Sequence, residues 1–309
     1  MIRIVGDIDA RRVAMVRAGA VGDTVQCDDG NGSPEVLFVW AQQRGELAEI
    51  LARHGDHLKW VHFRRVGIGA SIVSLFQSYP QIRLTNGSGA SGVAVAEHAV
   101  ALLLALLKQL PALHDRQRQH QWAHEFSELE LHGQTACIVG LGDVGLSVAR
   151  LLRPFGVRLL GVRRRAEAVA EMDETHPVER LEAVLGRSSI LILAPTLSSG
   201  SHHLIDAKEL ACLPRGALVI NIGRGAVVNE VALIAALRSG QLGGAGLDVL
   251  EEEPPAPDSP LWDMPNVIVT PHSAAHTEAT DDRAVELFLE NLARLRRRDA
   301  LRSEMSSSR

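Results

Sequence analysis

The segment Gly140-Leu-Gly142-Asp143-Val144-Gly145 follows the apolar run Cys137 to Val139 and opens onto a helical pattern, Leu146 to Phe155. Glycines at this spacing between a strand and a helix permit a tight turn, close approach of a pyrophosphate and close helix packing. The helix N-terminus then presents free N–H groups to negative charge. The implied chemistry is dinucleotide binding, set against the plainer reading of a glycine-rich turn with no ligand. An NAD site places a carboxylate about 20 residues further on, where it binds the ribose 2'-hydroxyl. Here the second strand ends Gly161-Val162 and runs into Arg163-Arg164-Arg165, with no carboxylate. Guanidinium groups make bidentate, charge-assisted bonds to a dianionic 2'-phosphate, so NADP(H) is expected over NAD(H). The alternative for the three arginines is a solvated basic run.

Three further polar residues follow apolar runs: Arg224 in Asn221-Ile222-Gly-Arg224-Gly225, Glu253 in Asp248-Val-Leu-Glu-Glu-Glu253-Pro254, and His272 in Thr270-Pro-His272. Residues just past the carboxyl ends of strands in an open α/β sheet face the ligand crevice, so the three could converge. Taken singly, each also has an ordinary reading: a loop arginine, a solvated acidic run and a capped core histidine.

These residues need a scaffold of parallel strands. Ile2 to Val5, Val36 to Trp40, Trp60 to Phe63 and Gln81 to Thr85 alternate with helix-like segments such as Glu46 to His54. From Thr135 onward, strands are expected at Cys137 to Val139, Val157 to Val162, Ile190 to Leu193, Ala217 to Asn221, Ala245 to Val249 and Val267 to Thr270. Alternation of this kind predicts an α/β fold with two doubly wound, Rossmann-like parallel sheets. A continuous helix is expected from Ala96 to Leu110, stopped near Pro111. After His276 the positions Ala284, Leu287, Phe288, Leu292 and Leu295 recur at helical spacing, and the serine-rich tail Leu301 to Arg309 is expected to fray. A nucleotide-binding unit that begins far from the N-terminus suggests a discontinuous second domain. The expected boundaries are residues 1–99 with 274–309, and residues 100–273, with a cleft between them as the ligand site.

With 309 residues, 46% hydrophobic and 22% charged, the chain has room for two buried cores and does not have a disordered composition. Its net charge of -5 lacks the basic footprint of a nucleic-acid binder. Cys27, Cys137 and Cys212 form no CxxC pair, which argues against a disulfide framework or zinc site and for a reducing compartment. The 13 histidines show no metal-binding spacing with carboxylates or thiols, so no metal is expected. Asp7, Asp9, Arg11 and Arg12 interrupt any leader-like run at the start. Glu97 and His98 shorten the apolar stretch Val93 to Leu110 below a membrane span, so a cytoplasmic protein without membrane contact is expected.

From about Leu58 to Leu295 the sequence resembles the D-isomer-specific 2-hydroxyacid dehydrogenases. The likeness is most specific at Ile138 to Gly145, Leu218 to Glu230, Gly246 to Pro254 and Val267 to His276. It implies Arg224 as the substrate-binding arginine of a GRG motif, Glu253 before Pro254 as the catalytic glutamate, and His272 after Pro271 as the catalytic histidine. It further implies Asp248 near the nicotinamide carboxamide, with Pro195 and Ile222 lining the cofactor. In the first domain, Gly67-Ile-Gly69-Ala70-Ser71 is similar to the family's carboxylate-binding loop, with Gly69 and Ala70 as substrate contacts and Ser71 where aspartate is common. Arg64 and Arg65 precede that loop, either as charge for a second acidic group or as surface arginines. Glu97 and His98 are expected to be structural.

The family chemistry suits these residue types. Arg224 would hold a substrate carboxylate and polarise the adjacent 2-keto oxygen, His272 as imidazolium would protonate that oxygen, and Glu253 would favour the charged imidazole. The expected reaction is NAD(P)H-dependent reduction of a small 2-keto acid, glyoxylate or hydroxypyruvate in particular. A D-3-phosphoglycerate or D-lactate-like dehydrogenase is the alternative within the class, and a cofactor-sensing corepressor-like protein the alternative outside it. The resemblance also implies a homodimer formed around Leu102 to Leu131.

Overall fold

The computed structural model describes residues 1–27, 32–41, 44–122, 129–165 and 167–305. It contains two compact units, residues 1–91 with 276–309, and residues 92–275. The boundary falls ahead of the helix that begins at Gly92 instead of inside it, so the whole helix belongs to the second unit.

In chain order, the first unit contributes β1 (Ile2–Val5), α1 (Ala10–Gly19), β2 (Val25–Gln26), β3 (Val36–Val39), α2 (Arg44–His54), β4 (Trp60–Phe63), α3 (Ala70–Val73) and β5 (Arg83–Thr85). The second unit opens with α4 (Gly92–Leu107) and α5 (Leu110–Arg118), followed by β6 (Thr135–Val139), α6 (Asp143–Leu152), β7 (Arg158–Arg163), β8 (Glu174–Pro177) and α7 (Leu181–Leu185). It continues through β9 (Ile190–Leu193), α8 (Ala207–Cys212), β10 (Ala217–Asn221), α9 (Glu230–Arg238), β11 (Leu242–Leu247) and β12 (Val267–Val269). The chain then returns to the first unit with α10 (Glu278–Arg297).

Both sheets are parallel throughout. The first has the order β2-β1-β3-β4-β5, the doubly wound arrangement of flavodoxin-like folds. The second has the order β12-β11-β10-β9-β6-β7-β8, so its strand order reverses between β6 and β9. Strands covered on both faces must be apolar along their whole length. Accordingly Val36 to Val39, Trp60 to Phe63, Ile190 to Leu193 and Ala217 to Asn221 are buried at every position.

The first unit is sealed by α10, whose Phe288 stacks on Phe38 and Trp60 at centroid distances of 4.3 and 5.1 Å. Arg12 of α1, only 5% exposed, bonds Asp9 at 2.6 Å and Asp282 at 3.0 Å, and also pairs with Glu278. In the second unit, α4 buries Val95, Ala96, Ala99, Leu102, Leu103 and Leu107 against the sheet and α6. It is therefore a core helix, and among the described residues no single helix is long and apolar enough to cross a membrane.

Three local expectations are corrected. Pro111 does not stop the long helix. The break comes at Gln109, which adopts φ 50°, and Pro111 sits in the first turn of α5, where a missing N–H costs nothing. The tail does not fray through Met305: Leu301 is buried, Arg83 bonds both carboxylate oxygens of Glu304 at 2.7 and 2.8 Å, and the Met305 N–H donates to Leu84 O. Arg64 is not a surface arginine, since it lies over Trp40 at 4.6 Å and pairs with Asp281. Residues 123–128 of the segment expected to carry dimerisation, and 306–309 of the tail, lie outside the described residues.

Candidate active site

The order of the second sheet arranges the site. Read from β12 to β7, successive carboxyl ends lead into His272, Glu253, Arg224, Pro195, the Gly140 to Gly145 turn and Arg163 to Arg165. Residues far apart in sequence thus occupy neighbouring turns. Each turn begins by extending the strand ladder: Thr270 N–H donates to Leu247 O, Asp248 N–H to Asn221 O, Ile222 N–H to Leu193 O and Ala194 N–H to Val139 O.

The glycine turn sits at the point where the strand order reverses. Gly140 has φ 92°, and a Cβ there would lie 2.7 Å from Pro195 N. On Gly145 it would lie 2.0 Å from Gly140 O, so this glycine lets α6 pack against its own turn. On Gly142 a Cβ would meet nothing within 4 Å. Gly142 also N-caps α6 without any side-chain cap, which leaves the N–H groups of the first turn available. A glycine with open space above a free helix N-terminus fits the approach of a pyrophosphate. The carboxylate of Asp143 faces α4, where a Cβ on Gly92 would lie 2.2 Å from Asp143 Oδ2. Arg163 closes β7, Arg164 and Arg165 are exposed, and among the described residues no hydrogen bond or ion pair engages these three guanidinium groups.

Glu253 Oε2 lies 2.8 Å from His272 Nδ1, with both side chains partly exposed. Glu253 Oε1 accepts from Leu250 N–H at 3.1 Å, which fixes the carboxylate from behind. His272 itself has φ 51°, a left-handed conformation that costs a non-glycine residue free energy and is found where a side chain must be aimed. Buried Asp248 holds it there. Its Oδ1 accepts from Thr270 Oγ1 at 2.7 Å and from Ser273 N–H at 2.9 Å, its Oδ2 from Ala274 N–H at 3.1 Å, and its backbone carbonyl from His272 N–H at 2.9 Å. Asp248 is thus the anchor of the His272 loop. Thr270 spends its only proton on Asp248, so His98 of α4, 2.9 Å away, must donate to Thr270 Oγ1 through Nε2. His98 thus ties α4 to the strand end that leads into His272.

Arg224 is partly buried and extended, and its Nη1 donates to Gly223 O at 2.6 Å. Its turn is clamped on both sides. A Cβ on Gly225 would lie 1.7 Å from Leu250 O, and one on Gly223 would lie 2.9 Å from Pro195 O. The Arg224 turn therefore packs directly on the residue whose N–H holds Glu253. Ile222 is buried beside this turn. Gly69 and Ala70 belong to the first unit, where Gly69 caps the short α3 and Arg44 Nε donates to Ser71 O at 3.2 Å.

Residues 100–274 match the model of the D-isomer specific 2-hydroxyacid dehydrogenase NAD binding domain. The chain belongs to this family. It is 35% identical over 224 residues to a glyoxylate reductase of Korarchaeum cryptofilum, covering 70% of this chain and 67% of that one. It is 30% identical over 236 residues to a D-3-phosphoglycerate dehydrogenase of Methanocaldococcus jannaschii, a match that covers 75% of this chain but only 45% of the relative. A crystal structure of a D-isomer specific 2-hydroxyacid dehydrogenase from Xanthobacter autotrophicus Py2, in complex with NADPH and MES, superposes with a TM-score of 0.84 at 29% identity, covering 99% of this chain and 98% of that one.

Within this 2-hydroxyacid dehydrogenase fold, one residue of the site escaped the sequence reading. Asn221 is buried at the end of β10. Its Nδ2 donates to Arg224 O at 3.2 Å and its Oδ1 accepts from Gly223 N–H at 3.2 Å, so it braces the turn that carries Arg224. The available signal was its type: an amide closing an otherwise apolar strand just before a Gly-Arg-Gly turn suits bonding to nearby backbone.

Proposed function

We propose that the protein reduces a small 2-keto acid to a D-2-hydroxy acid, with NADPH preferred over NADH. The observation that carries this reading is the 2.8 Å Glu253–His272 pair in the same row of turns as the dinucleotide cradle. A bound nicotinamide cofactor supplies the hydride. Gly142 and the first turn of α6 would hold its pyrophosphate, and Arg163 to Arg165 the 2'-phosphate. His272 has Nδ1 committed to Glu253, so Nε2 is the nitrogen that donates a proton to the keto oxygen. Glu253 holds the ring by its other nitrogen, and in the reverse direction the neutral ring is the base. Arg224 binds the substrate carboxylate, a role suited to a planar guanidinium that can make two parallel bonds.

Likeness to a glyoxylate reductase, and to the fold of a glyoxylate/hydroxypyruvate reductase, supports glyoxylate or hydroxypyruvate as substrate. The arginine run after β7 supports NADPH, the cofactor bound in the Xanthobacter relative. The test is loss of NADPH absorbance with glyoxylate, hydroxypyruvate, pyruvate and phenylpyruvate, repeated with NADH. Turnover is expected first with glyoxylate or hydroxypyruvate. Tight cofactor binding without turnover of any keto acid would replace the enzyme by a cofactor sensor, and equal rates with NADH would remove the role given to Arg163 to Arg165. We further propose that the protein is a homodimer. Ala105, Leu106, Leu107, Pro111, Leu129 and Leu218 line a hollow of about 350 Å³, and the neighbouring Leu110 is 51% exposed.

A further inference from the structure

Apart from the Glu253–His272 pair, two loops of the same row of turns carry a second constellation. His202 and His203 lie in the turn that follows β9, and Glu251 in the loop that follows β11. One ligand atom from each residue lies within 4.8 Å of the other two. His203 Nε2 is 2.7 Å from Glu251 Oε1, and the two imidazole rings lie 4.0 Å apart, tilted by 31°.

Both ends of this contact are fixed by groups other than each other. His203 has φ 49°, and its N–H donates to Ala226 O at 2.8 Å, which sets the turn against the loop after β10. The second oxygen of Glu251 accepts from Glu230 N–H at 3.3 Å, while Glu230 Oε2 accepts from Glu251 N–H at 3.2 Å. The carboxylate is therefore already aimed at the histidines.

We propose that His202, His203 and Glu251 bind a divalent transition-metal ion of the Zn²⁺ or Ni²⁺ class, clasping the turn after β9 to the loop after β11. Two imidazoles and a carboxylate suit ions of this hardness, whereas Mg²⁺ and Ca²⁺ require mostly oxygen ligands. Zinc sits about 2.0 to 2.2 Å from such ligands, so a nitrogen and an oxygen on one ion stand roughly 3.3 Å apart. The His203–Glu251 pair needs to open by well under an ångström to admit it. Three protein ligands leave a fourth position for water, and the partial exposure of all three residues gives the ion a path in. The ion would sit two residues from Glu253, but its binding does not depend on the reaction assigned to that residue.

The experiment uses the full chain after chelator treatment. Equilibrium dialysis with Zn²⁺ measures stoichiometry, the visible spectrum of added Co²⁺ reports the ligand set, and a thermal melt reports stabilisation by mass action. One equivalent is expected to bind and to raise the melting temperature. His203→Gln and Glu251→Gln should each weaken binding roughly tenfold or more and abolish the Co²⁺ signal. His272→Gln, which removes the exposed His272–Glu253 pair, should leave both readouts unchanged. The proposal is overturned if no saturable binding occurs, if His203→Gln and Glu251→Gln bind as the parent does, or if His272→Gln is the variant that loses the ion.

Discussion

His272 is constrained at three points, and each has a separate consequence. Glu253 takes Nδ1, the backbone bond to Asp248 O keeps the residue left-handed, and the Asp248 carboxylate grips the two residues that follow. The ring is therefore aimed before any substrate arrives, and reorganisation that would otherwise fall on the chemical step is already complete. Glutamine in its place keeps a polar group of similar reach but cannot deliver a proton. His272→Gln should lower kcat by about 10² to 10⁴, the usual share of a general acid, and leave the Kd for NADPH within about twofold. Stopped-flow turnover and fluorescence titration of NADPH check the two halves. Unchanged turnover would take the proton-donor role away from His272. The pattern Thr270-Pro-His272 identified the histidine, but not Asp248 as its anchor, because that role depends on bonds spanning up to 26 residues.

At the scale of elements, two glycines of similar appearance in the sequence make opposite predictions. Gly142 faces open space, so Gly142→Ala should fold as well as the parent, with an unchanged melting temperature, yet weaken NADPH by about tenfold or more because the new methyl occupies the space a pyrophosphate needs. Gly225 abuts the Leu250 carbonyl, so Gly225→Ala should force the two loops apart. It should cost about 1 to 3 kcal/mol of stability in chemical denaturation and raise the KM for the keto acid through Arg224, while NADPH affinity stays near the parent value. Identical behaviour of the two variants would mean that the turns do not divide the work in this way. The parallel strands that carry these turns were legible because a strand covered on both faces must be apolar throughout. Strand β8, with the sequence Glu-Thr-His-Pro, was not: it is an edge strand paired with β7, and its proline closes it. The ordered tail was invisible for a related reason, since Arg83 and Glu304 meet across 221 residues.

On the scale of the whole molecule, each unit has its own core, and that of the first contains a titratable ring. His62 of β4 is fully buried among Phe38, Trp60 and Phe288, and burial depresses its pKa to about 3. Thr85 Oγ1 accepts from Trp60 Nε1 at 2.8 Å and lies 2.7 Å from His62 Nδ1, and burial keeps the ring neutral. An unfolded chain returns this histidine to its ordinary value of about 6.5. Above that pH the ring is neutral in both states and adds no pH dependence. As pH falls from 6.5 toward 3, only the unfolded chain gains the proton, so stability should fall by up to about 1.4 kcal/mol per unit. The carboxylates held low by arginine partners, such as Asp282, Glu290 and Glu304, lose their contribution as pH falls through their ordinary values of 3.8 to 4.5 and lower, beneath the window in which His62 first acts, so the two effects separate. Denaturant unfolding between pH 7 and 5 should therefore show a decline in the parent that is largely absent in His62→Leu, even if the variant starts from lower stability. Parallel pH profiles for the two proteins would show that acid acts elsewhere in the molecule.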